Sequence, residues 1–289
     1  MTTNPLVSIL VPSYNHSAFV EDTIKSILAQ TYENVELIVI DDGSTDNSAD
    51  IIERLAADAK FTYVCQHNHG VAATLNKALS LATGKYISLC ASDDIYFSDK
   101  IATQVQYLEQ YPEYGMCYGK VLCFNESIDH TWEYPTSNKK DWVYDDLLHG
   151  CFIPAPSTFI RRDVIEEVGG FDETLWIEDW DLWLRISFKY PIGYQDKFFT
   201  YYRQHENNLS AQAFKMYIGE KATLSKHVNH HKHRALLNDY SVKWFSQLSQ
   251  NHKREALRYL LPALKQIYRN PAVIKGLVKL IFKKSQSFN

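Results

Sequence analysis

Through its first 125 residues the chain alternates short apolar runs with segments of helical period, and polar residues gather where the runs end. This pattern constrains the fold more than any other feature. Val7–Val11 is a compact apolar run and reads as a buried strand. Ala18–Gln30 sets Val20, Ile24, Ile27 and Leu28 at helical spacing. Val35–Ile40 is a second strand that stops at Asp41-Asp42-Gly43-Ser44. Asp46 or Ser48 then offers a cap to a helix carrying Ile51, Ile52 and Leu55. Phe61–Gln66, Val71–Leu81, Lys85–Cys90 and Lys100–Gln110 repeat the strand–helix order. Such alternation predicts an α/β fold, a Rossmann-like, doubly wound and mostly parallel sheet with helices on both faces.

In such sheets ligands sit beyond the carboxyl ends of the strands. Three of these ends carry Pro12-Ser13-Tyr14-Asn15, Asp41-Asp42 and Asp93-Asp94, so their polar residues converge on one face. Residues 114–205 are less regular and rich in aromatics, and Ile153-Pro154-Ala155-Pro156-Ser157 cannot be helical throughout. Residues 206–289 read as mostly helical. The expected organisation is an α/β domain over 1–210 and a helical C-terminal extension over 211–289.

Charge separates the two parts. Residues 253–289 hold nine Lys or Arg against one acid, a local charge of +8, which leaves −12 on the rest. An acidic body is a poor nucleic-acid binder, because phosphate contacts need clustered positive charge. In the tail, Ile274, Leu277, Val278 and Ile281 share one helical face, and Lys275, Lys279 and Lys283 another. That basic amphipathic helix over 271–289 suits an anionic membrane surface; a packed C-terminal helix or an oligomer contact accounts for the same pattern. No run of about 18 apolar residues exists to span a bilayer. The N-terminus lacks a basic segment before its apolar run, unlike a secretory signal. A cytoplasmic protein, peripheral on the inner face of the membrane, is expected. Five scattered cysteines without C-x-x-C spacing argue against a zinc site or a disulfide framework.

Three groups of residues carry candidate chemistry. Asp93 and Asp94 follow an apolar strand, where they suit a hard divalent cation shared with diphosphate oxygens, or a helix N-cap. Glu178-Asp179 lies among Trp176, Trp180 and Trp183, which fall on one helical face at spacings of four and three. Aromatics beside carboxylates suit a sugar site and desolvate a general base; dipole-stabilising acids over a tryptophan core are the alternative. His205 is a metal ligand, a phosphate contact or a packed residue. Neither G-x-G-x-x-G nor a P-loop is present, which disfavours a nucleotide oxidoreductase or a P-loop ATPase.

Taken together, the chain resembles glycosyltransferase family 2, the large inverting family with a GT-A fold. The matching phrases are Val7-Ser-Ile-Leu-Val-Pro-Ser-Tyr-Asn15, Ser26-Ile-Leu-Ala-Gln-Thr-Tyr32, Glu36-Leu-Ile-Val-Ile-Asp-Asp-Gly-Ser-Thr-Asp46, Gly84-Lys-Tyr-Ile-Ser-Leu-Cys-Ala-Ser-Asp-Asp94, Gly169-Gly-Phe-Asp172, Glu178-Asp179 and Tyr202-Arg-Gln-His205. The resemblance covers about residues 5–210.

It implies a UDP-sugar donor, Mn²⁺ or Mg²⁺, and a saccharide acceptor that is lipid-linked or on a glycoprotein, as in bacterial surface-glycan assembly. Pro12 and Tyr14 match the first strand-end loop, with Tyr14 packing on the base. Asp42 matches the carboxylate that accepts from the pyrimidine N3–H. Asp93 would face the ribose, Asp94 and His205 would hold the metal, and Asp179 would be the general base. Two positions depart from the pattern: Ala91 replaces a frequent Asp, and Leu75 a common Arg, whose diphosphate contact Lys77 could supply. A non-catalytic sugar-nucleotide binder or scaffold of the same fold is the competing expectation.

Overall fold

A computed structural model describes residues 4–134, 137–206, 208, 212–227, 230–265 and 270–282. The chain forms two compact units, Met1–His205 and Glu206–Asn289.

The first unit begins with β1 (Val7–Ser13), α1 (Val20–Leu28), β2 (Val35–Asp41), α2 (Ser48–Ala59), β3 (Thr62–Cys65), α3 (Val71–Leu81) and β4 (Tyr86–Leu89). It continues with β5 (Ile95–Tyr96), α4 (Lys100–Gln110), β6 (Met116–Phe124), β7 (Thr131–Glu133), α5 (Tyr144–Leu148), a 3-10 turn (Ala155–Ser157), β8 (Phe159–Arg161), α6 (Arg162–Glu167), α7 (Glu178–Lys189) and β9 (Ile192–Arg203). Among the described residues one sheet runs in the order β3-β2-β1-β4-β8-β6-β9-β5, with β7 on the side of β6.

β3, β2, β1 and β4 are mutually parallel, as the strand–helix alternation requires. Beyond β4 the sheet is mixed. β8 is antiparallel to β4 and to β6, β9 is parallel to β6, and β5 is antiparallel to β9. These later strands escape a period-based reading for physical reasons. β5 and β8 are two and three residues long. In β6 and β9 the register slips around Tyr118, Lys120 and Val121, so alternation is broken.

Val7, Ile9 and Val11 of β1 join Val20, Ile24 and Ile27 of α1, Ile52 of α2 and Ile101, Val105 and Leu108 of α4 in one buried cluster. A strand period of two meets a helix period of 3.6 there. Of the cysteines, Cys90, Cys117 and Cys123 are buried and Cys65 and Cys151 exposed, and none forms a disulfide.

The second unit contains α8 (Ala213–His227), α9 (His230–Leu248), α10 (Lys253–Leu257), α11 (Leu260–Leu264) and α12 (Pro271–Phe282). Glu220 of α8 is buried where it accepts from Trp244 Nε1 at 2.9 Å and pairs with Lys243 Nζ at 2.5 Å, both on α9. α12 opens with Asn270 Oδ1 accepting from Ala272 N at 3.0 Å. The face it buries is not the one its apolar spacing singles out. Val273 and Gly276 are buried, and a Cβ on Gly276 would come within 2.7 Å of the Phe245 ring of α9. Leu277 is half-buried, whereas Ile274, Val278 and Ile281 remain 52%, 49% and 65% exposed. Lys283 and Lys284 lie outside the described residues. Among those described, no helix is long and apolar enough to cross a membrane.

Candidate active site

The loop after β1 is fastened to the loop after β2. Asn15 adopts a left-handed conformation, φ 54°, that short polar side chains tolerate. Its Oδ1 accepts from Thr45 N at 2.8 Å, and its N–H donates to Ser44 Oγ at 2.9 Å. Tyr14, just before it, is left 46% exposed at the strand ends.

The β2 end is also turned tightly. Buried Asp41 accepts from Ser44 N and Ser44 Oγ at 2.8 and 2.6 Å. Gly43 has φ +76°, and a Cβ there would lie 2.8 Å from Asn68 N. Asp42, only 4% exposed, accepts from Gln66 Nε2 (2.9 Å), His69 N (2.9 Å) and Gly70 N (2.8 Å). Its carboxylate thus braces the loop that starts α3. Oδ2, with one bond from Gly70, keeps a lone pair for a further donor.

Two residues far apart in sequence meet at the ends of β4 and β9. β5 pairs with β9 so that Ile95 faces Tyr201, and continuing that register carries Asp94 opposite Tyr202 and Asp93 opposite Arg203. The Arg203 guanidinium lies 4.5 Å from the Phe19 ring and 4.4 Å from that of Phe124, and its Nε donates to Asp93 O at 2.9 Å. His205 Nε2 lies 2.9 Å from Asp93 Oδ2, and its ring stacks on Phe19. His16 completes the group, with Nδ1 4.0 Å from Asp93 Oδ1 and 2.7 Å from Ser92 Oγ. One ligand atom each from His16, Asp93 and His205 falls within 4.8 Å of the others. Burial holds the His16 pKa below its usual value, which keeps the ring neutral and able to ligate.

The two adjacent acids have different surroundings. Asp94 is fully buried, its Oδ1 accepts from Arg203 N at 3.0 Å, and its Oδ2 has no partner among the described residues. Burial, then the charge of Asp93, push its carboxyl well above the usual range. Asp94 thus bonds the backbone of β9 through Oδ1, while Asp93 is the acid within hydrogen-bond distance of His205. His16 was missed because nothing in a single strand-end loop signals a histidine's partners. Two imidazoles and one carboxylate form a donor set that suits Mn²⁺ better than Mg²⁺, which favours oxygen.

A half-open pocket of about 90 Å³ lies alongside, lined among others by Pro12, Leu75, Ala91, Pro156, Glu178 and Asp179. None of its lining residues is basic. Ala91, two residues before Asp93, places the pocket next to the acid–histidine group. Leu75 is buried in this wall. Lys77, exposed two residues further along α3, points about 200° away round the helix, so it does not stand in for the missing Arg.

Glu178 and Asp179 open α7 and are half-buried. Asp179 Oδ1 accepts from Trp180 N at 2.7 Å. Burial pushes Asp179 up to about 6. Burial and then the charge of Asp179 push Glu178 up to about 8. The three tryptophans do not share a helical face: Trp180 and Trp183 are core, with Trp180 Nε1 donating to Leu147 O, while Trp176 precedes the helix and is 47% exposed. The preceding loop is held by Asn76 of α3. Its Nδ2 donates to Phe171 O (2.9 Å) and Glu173 Oε1 (2.8 Å), and its Oδ1 accepts from Phe171 N (2.9 Å).

The layout defines a class. An open, mostly parallel α/β sheet extended by antiparallel strands, with polar residues gathered at its strand ends, is the layout of the GT-A fold. The sequence narrows this further: the profile of glycosyl transferase family 2 matches residues 8–169, more than half of the chain, which belongs to that family. An uncharacterised glycosyltransferase of Rickettsia prowazekii is 33% identical over 63% of this chain, but the match spans only 59% of that relative's own length. The Escherichia coli UDP-Glc:alpha-D-GlcNAc-diphosphoundecaprenol beta-1,3-glucosyltransferase WfaP is 30% identical over 76% of this chain and 85% of its own. Two solved structures share the fold at low identity. Staphylococcus aureus TarS in complex with UDP-GlcNAc has TM-score 0.61 and 16% identity, covering 95% of this chain and 88% of its own. The mannosyltransferase PcManGT of Pyrobaculum calidifontis, in complex with GDP-Man and Mn²⁺, has TM-score 0.60 and 18% identity, covering 97% and 88%.

Proposed function

We propose that this chain is an inverting transferase that moves a hexose or N-acetylhexosamine from a UDP-sugar to a saccharide hydroxyl, in bacterial surface-glycan or glycoprotein glycan assembly. The observation that carries the reading is Asp179, a carboxyl pushed up to about 6, in a pocket beside the His16–Asp93–His205 group. Tyr14 offers an exposed ring for the base, and Asp42 Oδ2 an acceptor for the uracil N3–H. The acceptor hydroxyl gives its proton to Asp179 while its oxygen attacks the anomeric carbon from the face opposite the diphosphate. The bond from that carbon to the diphosphate oxygen breaks, UDP departs, and the configuration inverts. Asp179 is suited to this because a base works best with a pKa near the working pH. Glu178, held protonated at neutral pH by its higher pKa, donates or orients but does not compete for the proton. Trp176 offers a ring face to a sugar.

A diphosphate approaching carboxylates with no basic residue in the pocket wall needs a cation, and Asp93, His205 and His16 are the residues to hold it. When bound, Mn²⁺ would neutralise the charge that develops on the departing diphosphate.

The names of WfaP and TarS's ligand support a UDP-sugar donor, and WfaP's acceptor supports a lipid-linked saccharide here. The exposed Ile274, Val278 and Ile281 beside Lys275 and Lys279 support docking on an anionic membrane surface, at its cytoplasmic face, where such an acceptor is presented.

The test is release of UDP from a panel of UDP-sugars with saccharide and lipid-linked acceptors, with Mn²⁺ and with excess EDTA. Acceptor-dependent release, lost in EDTA, is expected. Saturable UDP-sugar binding without turnover under any pairing would return the chain to the non-catalytic reading. Full turnover in EDTA would remove the cation from the scheme.

A further inference from the structure

Behind the pocket wall lies a lysine whose amino group, among the described residues, bonds to no carboxylate. Lys100, the first residue of α4, is fully buried. Its Nζ donates to Ser88 Oγ (3.0 Å), Gln104 Oε1 (2.6 Å) and Thr158 O (3.2 Å), and none of these partners is a carboxylate. The Tyr96 ring centroid lies 4.5 Å away.

The directions of the bonds are forced. Tyr96 donates its hydroxyl proton to Leu89 O. The Ser88 hydroxyl, 2.9 Å from Tyr96 Oη, must therefore donate to it, which leaves Ser88 Oγ as an acceptor toward Lys100. Gln104 Nε2 donates to Ser157 O at 2.8 Å, so its Oε1 faces the lysine. All three neighbours of Nζ accept, and only an ammonium supplies three protons. Burial of an ammonium without a counter-ion is unfavourable, and here it pushes the lysine pKa down to about 7.

What this arrangement holds is the turn after Pro154. Pro154 and Pro156 have no N–H, so this stretch cannot enter a regular ladder on both sides, and its buried carbonyls need partners from elsewhere. Three successive carbonyls find them. Pro156 O accepts from Thr200 Oγ1 of β9 at 2.8 Å, Ser157 O from Gln104, and Thr158 O from Lys100. Ala155 and Pro156 of the same turn line the pocket that contains Glu178 and Asp179, and so does Leu89, whose carbonyl ends the Ser88–Tyr96 chain.

We propose that Lys100, acting with Gln104, is a positioning residue that fixes the 155–158 turn as the rigid wall against which the acceptor is aligned with Asp179. The alignment role rests on Asp179 being the base; the anchoring of the turn does not. Misplacement by about 1 Å can lower a rate by about 10²-fold.

The experiment compares Lys100→Met, which keeps the stem's bulk, with Gln104→Leu and the double variant in the full chain. It measures hydrogen exchange over residues 151–160, transfer kinetics and UDP affinity. Expected are at least tenfold faster exchange in the turn, a kcat lower by about 10–100-fold and unchanged UDP affinity. The double variant should do no worse than Lys100→Met, because both act through one turn. Unchanged exchange in Lys100→Met, or UDP affinity falling in step with transfer, would overturn the proposal. If Lys100→Met does not fold, unchanged exchange in Gln104→Leu overturns it equally. If the wild-type chain transfers no sugar at all, the proposed activity fails, while exchange still decides the anchoring.

Discussion

Asp179 and Glu178 are neighbours in one pocket with different acidities, and the difference makes a pH prediction. Proton acceptance needs the Asp179 carboxylate. Its pKa is pushed up to about 6, so kcat/KM for transfer should fall as pH drops through about 6, well above the ordinary carboxylate range near 4. A rate–pH profile whose acid limb breaks near 4 would contradict this. Asp179→Asn should lose at least about a hundredfold in transfer with UDP affinity, measured by calorimetry, little changed. If Glu178→Gln is instead the inactive variant, the base is Glu178. Asp93 and Asp94 divide similarly. Asp93→Asn should raise the Mn²⁺ concentration that half-saturates UDP binding by at least about tenfold, the loss seen when even an outer partner of a ligand is removed. Asp94→Asn should be mild, because an amide oxygen still accepts from Arg203 N. Equal effects of the two substitutions would place Asp94 back among the ligands.

At the scale of elements, the site depends on where α3 grips the loop before α7. Asn76 makes three bonds to residues 171 and 173. Gly170 approaches so closely, with φ +69°, that a Cβ would sit 2.8 Å from Asn76 Oδ1. Asn76→Ala leaves Phe171 N and O without these partners and should destabilise the protein by about 1–3 kcal/mol, read by denaturant unfolding, while lowering transfer more than UDP binding. If transfer survives at full rate, the loop is held by other contacts. Trp180→Ala, removing a fully packed ring of α7, should be worse at about 3–5 kcal/mol.

At the scale of the molecule, the charge separation and the uncovered face of α12 belong together. Deleting residues 271–289 should reduce binding to anionic liposomes, and added salt should mimic the deletion by screening. Sedimentation at low and high ionic strength reads both. A full-length chain that ignores anionic vesicles at low salt would assign the exposed Ile274, Val278 and Ile281 to a protein partner.

The sequence by itself determined the parallel half of the sheet and the family, because strand and helix periods and strand-end motifs are local properties carried by consecutive residues. Val71–Leu81 and Lys100–Gln110 are helices with the bounds their spacing predicts. Tertiary structure alone decided which acids share a partner. The antiparallel pairing of β5 with β9, between strands separated by about a hundred residues, turns Asp93 toward His205 and buries Asp94. It also decided that Trp176 stays exposed while Trp180 and Trp183 are core, that Lys77 faces away from the pocket, and that α12 packs through Val273 and Gly276. Lys100 reads in sequence as an ordinary helix-start lysine; only three-dimensional packing buries it. Periodicity reports which residues share a face, but which face meets which neighbour is set by non-local pairing and burial.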